Sequence, residues 1–120
     1  MARMGTTNPN TLALIRALRR ASVQHNAGIW KRVAEIVSRP ARKRVVVNVG
    51  EIERHTHDGD LVVVPGKVLG SGNLNHRVTV AALSASASAR QIIITAGGSL
   101  MTIEEMLKLA PTGAGVTILV

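Results

Sequence analysis

Four groups of residues in this 120-residue chain have types and spacings that could do chemistry. Arg16, Arg19 and Arg20 recur at helical intervals, so their guanidinium groups share one face and could pair with phosphate oxygens in the two-pronged manner that suits arginine. Residues 65–72, Pro-Gly-Lys-Val-Leu-Gly-Ser-Gly, have the glycines and lysine of a phosphate-cradling loop. His55 and His57 would lie on one side of an extended segment and could ligate a metal. Ser84, Ser86 and Ser88 offer hydroxyl nucleophiles.

Three of these four lack the partners their chemistry needs. A nucleotide loop requires a strand before its glycines and, after them, a helix whose N-terminus faces the phosphate. Here Asn73-Leu74-Asn75 and then a strand-like run follow, so tight turns are expected, with Lys67 available to a backbone phosphate. The two histidines have no third ligand cluster and the chain has no cysteine, which makes a solvated acidic loop the expectation there. The serines have no nucleophile elbow. His25 and His76 suggest no triad, and the carboxylate pairs Glu51/Glu53, Asp58/Asp60 and Glu104/Glu105 read as a polar face, a turn and a helix N-terminus. No catalytic constellation, metal site or cofactor is expected.

The arginines stand apart because of the charge around them. Residues 1–44 hold ten cations against Glu35 alone, a net +9, whereas residues 45–120 hold five against six carboxylates, a net −1. The formal +8 of the chain is therefore an amino-terminal property. A solvated face normally mixes signs; a one-sided, arginine-rich field attracts a polyanion, nucleic acid above all. The candidate contacts are Arg3, Arg16, Arg19, Arg20, Lys31, Arg32, Arg39, Arg42, Lys43 and Arg44, with Lys67 and Arg77 beyond them. With Trp30 as the single aromatic residue, the chain lacks the platforms on which RNA-recognition sheets stack bases. Recognition of backbone and shape is expected.

The elements that must position these groups are legible in outline. Asn8 caps and Pro9 opens a helix reaching about His25, with Leu14, Ile15, Leu18 and Ala21 inward and the arginines opposite. Asn26-Ala27-Gly28 breaks it. A second helix is expected from about Ile29 to Ser38, with Ile29, Trp30, Val33, Ile36 and Val37 inward and Lys31, Arg32, Glu35 and Arg39 outward; Pro40 ends this hairpin.

After the basic segment 39–44, the β-branched runs 45–49, 61–64, 78–83 and 116–120 read as strands. Residues 50–55 suit a short helical turn, and Pro65-Gly66 reads as a turn dipeptide. Residues 84–98 are ambiguous: Ile92-Ile93-Ile94-Thr95 alone suits a strand, but the helix-tolerant alanines before it and the Gly97-Gly98 stop favour a helix. Thr102 and Glu105 form a capping box, so a helix runs from Ile103 to about Ala110. The order predicts a single mixed α/β domain, 1–44 being a basic helical hairpin and segment and 45–120 an α/β frame. No apolar run approaches the roughly 18 residues of a membrane-spanning helix, no signal-peptide core follows the N-terminus, and the absence of cysteine suits the cytosol.

Lys67-Val68-Leu69-Gly70-Ser71-Gly72, then Val78-Thr79-Val80, then Ser86, Ala89, Ile93 and Gly97, resemble the pattern shared by the fifteen and eighteen-e superfamily of large-ribosomal-subunit proteins. Asn8-Pro9, the Trp30 helix, Arg39-Pro40 and Val47-Asn48-Val49-Gly50-Glu51-Ile52-Glu53-Arg54 look like its archaeal and eukaryotic eighteen-e branch. The pattern departs at Ala41, Val45 and Glu51, where a basic, a small and a basic residue would be expected.

The resemblance implies a layered α/β domain of irregular strand, strand, helix turns wound as a right-handed superhelix, with the helical hairpin packed on it. It also implies a non-enzymatic, cytoplasmic role in translation, bound to large-subunit ribosomal RNA and to neighbouring ribosomal proteins. The readings left beside it are a small nucleotide-binding module or enzyme using residues 66–72 and a generic basic DNA-binding domain.

Overall fold

The computed structural model describes residues 9–39 and 45–120. Arg3, the Asn8 cap, and Pro40, Ala41, Arg42, Lys43 and Arg44 lie outside them. The elements run α1 (Pro9–His25), α2 (Gly28–Val37), β1 (Val45–Asn48), α3 (Val49–His55), β2 (Asp60–Leu69), β3 (Val78–Ala85), α4 (Ala87–Thr95), β4 (Ser99–Met101), α5 (Ile103–Leu109) and β5 (Val116–Ile118).

All strand pairings are parallel. The long central β2 has β3 along one edge, and β4 lies beyond β3. Its other edge is shared end to end: β5 pairs with Leu61, Val62 and Val63, and β1 with Gly66 through Leu69. A parallel sheet needs helices on both faces, and its strands supply two apolar surfaces. On one face Val62, Val64, Val68, Val80 and Ala82 meet Val49 and Ile52 of α3 and Ala89 and Ile93 of α4. On the other, Val63 and Ala81 meet Leu14 and Leu18 of α1, Trp30, Val33 and Val37 of α2, and Ile103 and Met106 of α5. The expected layered α/β frame, with a helical hairpin packed on it, is the observed architecture.

Local signals explain the ends of the helices. Asn26 takes φ 49°, and the Ala27 N–H donates to the Ser22 carbonyl at 3.0 Å, closing α1 with asparagine in the position glycine usually fills. The ambiguous stretch forms α4, capped by Ser86 Oγ, which accepts from the Ala89 N–H at 3.1 Å. It ends at Gly97, φ 85°, with the Gly98 N–H on the Ile93 carbonyl. The Thr102–Glu105 capping box forms in both directions, at 2.9 and 3.1 Å.

Two expectations are corrected and one strand is added. Pro65-Gly66 is no turn: both residues are buried within β2, at a register irregularity between Val64 and Lys67. The missing proline N–H is tolerated because the ladder is already interrupted there. Ser84 and Ala85 belong to β3 rather than to the following helix. β4 went unread because three residues are too few for a periodic signal.

Trp30 ties the hairpin to the carboxyl-terminal segment. Its side chain is buried, and its indole Nε1–H donates to the Pro111 carbonyl at 2.8 Å across 81 residues of sequence. Gly113, φ 73°, permits this approach, since a Cβ there would come within 2.3 Å of Ile29 Cγ2. Trp30→Phe should preserve most of the packing but leave that carbonyl without its donor. The expected loss is about 1–3 kcal/mol of stability, read from urea unfolding followed by circular dichroism. An unchanged midpoint would assign no stabilising role to the hydrogen bond.

Candidate nucleic-acid interface

The helical hairpin sorts its side chains by the 3.6-residue period. Leu14 and Leu18 of α1 enter the core with Trp30, Val33 and Val37 of α2, and Arg16, Arg19 and Arg20 are consequently exposed on the far side of α1. Lys31, Arg32 and Arg39 are exposed on and just beyond α2. The ion pairs among the described residues, His57–Asp60, His76–Glu53 and Arg77–Asp58, involve none of these six cations. Arg3, Arg42, Lys43 and Arg44 fall outside the described residues.

Lys67 joins this side of the molecule. Val46 and Lys67 are partners in register, and both are exposed, while their neighbours Val47 and Val68 enter the core on the α3–α4 face. Alternation along a strand therefore turns this row toward the face that carries the hairpin. The basic segment 39–44 leads directly into β1, the strand that holds Val46.

Arg77 is placed elsewhere. Because β2 and β3 are parallel, residues 70–77 cross from one end of the sheet to the other, and Lys67 pairs with Ser84, six residues along β3 from Val78. At about 3.3 Å per residue, that is roughly 20 Å. Arg77 is also engaged: its Nη2 donates to Asp58 Oδ2 at 3.1 Å, its Nε to Oδ1 at 3.3 Å and its backbone N–H to Oδ1 at 3.0 Å. These hydrogen bonds, from the guanidinium first, hold the Asp58 carboxyl below the usual carboxylate range.

A depressed carboxylate contributes stability that is fully present above its unfolded pKa and lost as pH falls through the lower folded value. Asp58→Asn should therefore reduce the loss of thermal stability between neutral pH and about pH 3. The check is to compare melting temperatures of the two proteins across that range; parallel curves would remove Asp58 from the acid limb.

The turns around Arg77 are locked to α3. Thr56 Oγ1 donates to the Ile52 carbonyl, so it accepts from His76 Nε2 at 2.8 Å, while His76 Nδ1 lies 3.3 Å from Glu53 Oε1. Glu53 also accepts from the Asn75 N–H at 2.6 Å. His76 is thus a tether between these turns and α3. Among the described residues no three His, Asp or Glu side chains gather to hold a metal, and none of the helices is long and apolar enough to cross a membrane.

The phosphate-loop reading of residues 65–72 fails on geometry. Its first five residues are strand, and its glycines lead by a crossover into β3 instead of opening a helix. Gly70 and Gly72 serve close packing: a Cβ on Gly70 would lie 2.3 Å from Ser88 Oγ, and one on Gly72 2.7 Å from Gly50 Cα.

Two features escaped the sequence reading. Glu51, where a basic residue was expected, accepts from the Asn48 N–H at 3.3 Å in the first turn of α3. The Asn-x-x-Glu spacing is a helix-start signature that could have revealed it. The second is a groove between α1 and α5, created by packing residues distant in sequence.

Residues 7–120 match the family described as ribosomal protein 60S L18 and 50S L18e. The chain is 46% identical over 119 residues to large ribosomal subunit protein eL18 of Methanococcus maripaludis, covering 99% of each chain. It is 46% identical over 116 residues to the eL18 of Pyrobaculum aerophilum, covering 97% of this chain and 95% of that one. Against the eL18 of Methanothermobacter thermautotrophicus the identity is 51% over 105 residues, 88% of this chain and 87% of the relative. With a match spanning both the basic hairpin and the parallel-sheet frame, the chain belongs to the family of ribosomal protein 60S L18 and 50S L18e.

Proposed function

We propose that this chain is a non-enzymatic structural constituent of the large ribosomal subunit in the cytoplasm, and that it grips large-subunit ribosomal RNA through the sugar-phosphate backbone. The observation that carries the mode of binding is the cationic face of the hairpin. Arg16, Arg19, Arg20, Lys31, Arg32 and Arg39 are exposed, and α1 and α2 are anchored by Leu14, Leu18, Trp30, Val33 and Val37 to a rigid sheet. Anchoring matters because a guanidinium already held in place loses less freedom when it meets a phosphate.

Lys67 extends this surface onto the sheet, and Arg42, Lys43 and Arg44 fall in the sequence between the hairpin and β1. Arg3 belongs to the same amino-terminal field. Arg77, paired with Asp58 at the other end of β3, makes a secondary contact at most. A-form RNA hides its major groove, so a protein without stacking aromatics contacts phosphates and 2′-hydroxyls. Neighbouring ribosomal proteins are expected on the α3–α4 side, where Glu51 and Glu53 offset Arg54 and Arg90.

The deciding experiment is co-sedimentation with ribosomal subunits on sucrose gradients. The protein should travel with the large subunit and leave it in high salt, as release of condensed counterions requires. Association with the small subunit, or none at low salt, would contradict the assignment. Measuring affinity for structured ribosomal RNA and duplex DNA at matched salt separates the generic DNA-binding reading, which expects equal affinities.

A further inference from the structure

Where α5 packs beside α1, a groove of about 240 Å³ opens at the molecular surface. Its floor is apolar, made by Ala17, Ala21, Leu107 and Pro111. Ala17 and Ala21 are one helical turn apart, and their short side chains leave the space. The rim is polar: Arg20 stands on one side, Lys108 on the other, Gln24 and His25 line the end of α1 beside them, and Glu104 is the one carboxylate in the lining. Arg20 also belongs to the α1 arginine row, so the groove continues the cationic face rather than forming a separate site.

We propose that this groove receives a single unpaired nucleotide of the ribosomal RNA, its base laid on the alanine floor and its flanking phosphates held between Arg20 and Lys108. The inference rests on the RNA-binding reading above. The size fits a single nucleobase, since pockets for drug-sized molecules run to about 300–1,000 Å³. The charge fits as well, with two cations placed to meet the phosphates on either side of an extruded base. Gln24 carries both a donor and an acceptor, which a base edge can use.

An apolar floor replaces the absent aromatics, because extruded bases are held by apolar as well as aromatic side chains, and unpaired RNA loops present such bases. A protein side chain in the groove would gain from the same floor but not from the paired cations.

The experiment uses the full chain and an in vitro transcript of archaeal large-subunit ribosomal RNA. Ala21→Leu fills the groove without lowering helix propensity appreciably. It should weaken binding about tenfold, the scale of one stacked base, and flatten the slope of log affinity against log salt by no more than about two, the share of Arg20 and Lys108. Chemical probing should show one unpaired nucleotide losing protection. Arg16→Ala, outside the groove, should keep that protection and reduce the slope by about one.

If Ala21→Leu fails to fold by circular dichroism, Gln24→Ala, which removes only an exposed amide, should deprotect the same nucleotide. Wild-type affinity and protection in the groove variants would overturn the proposal while leaving the RNA-binding reading intact. Normal binding to the transcript with loss from assembled subunits would assign the groove to a neighbouring protein instead. Failure of the wild-type chain to bind the transcript would sink the underlying reading itself.

Discussion

Replacing Arg16, Arg19 and Arg20 together by alanine should lower affinity for large-subunit ribosomal RNA about a hundredfold at 0.15 M salt. The magnitude follows from counterion release. Each phosphate contact adds nearly one to the salt slope, so losing three should flatten it by about two to three, and extrapolation from 1 M salt to 0.15 M converts that into about two decades. Stability should hardly change, because all three side chains are exposed and Leu14 and Leu18 keep α1 on the sheet. Alanine is also the best helix former.

Nitrocellulose filter binding over a salt series, with circular dichroism as the folding control, reads both quantities. An unaltered slope in a folded variant would remove the α1 row from the interface. The corresponding triple lysine variant should keep the slope and lose only part of the affinity, since lysine retains the charge but not the two-pronged geometry.

Gly66→Ala should be among the most destabilising single substitutions in the frame. Gly66 pairs with Val45 where β1 begins along the edge of β2. A Cβ there would lie 2.0 Å from the Val45 carbonyl oxygen and 2.7 Å from its carbonyl carbon. Both are backbone atoms, so no side-chain rotation relieves the clash and the two strands must separate. A cost of about 3 kcal/mol or more is expected, a large share of the 5–15 kcal/mol that typically holds a domain together. The melting temperature should fall by roughly 10 °C or more.

Gly28→Ala is the contrasting case. Nothing lies within 4 Å of a Cβ at that first position of α2, so the change should be neutral or slightly stabilising through the unfolded chain. Equal melting temperatures for the two variants would refute the close-approach account of Gly66.

These two cases also separate what is legible in a chain from what is not. The arginine row needed only local information. Helical spacing places Arg16, Arg19 and Arg20 opposite Leu14 and Leu18, and the fold left that relation intact. Both capping boxes are local as well: Thr102–Glu105 was read, and Asn48–Glu51 could have been. Gly66 was misread because Pro-Gly between β-branched runs is a good turn signal at short range, and only the parallel neighbour β1 makes it a strand position. Likewise Lys67 and Arg77, ten positions apart, looked like members of one set of turns until the parallel crossover put them at opposite ends of the sheet.

By itself the sequence determined the segregation of charge into the amino-terminal third, the helical hairpin, the α/β class and the absence of a stacking platform. All of these depend on residue type and short-range periodicity. The tertiary structure decided which strands share the edge of β2, that Val46 and Lys67 emerge on the hairpin's side, that Asp58 occupies Arg77, and that Ala17 and Ala21 face α5 across an open groove. Those outcomes depend on which apolar surfaces bury one another, and that is settled only when distant segments compete for the same two faces of one sheet.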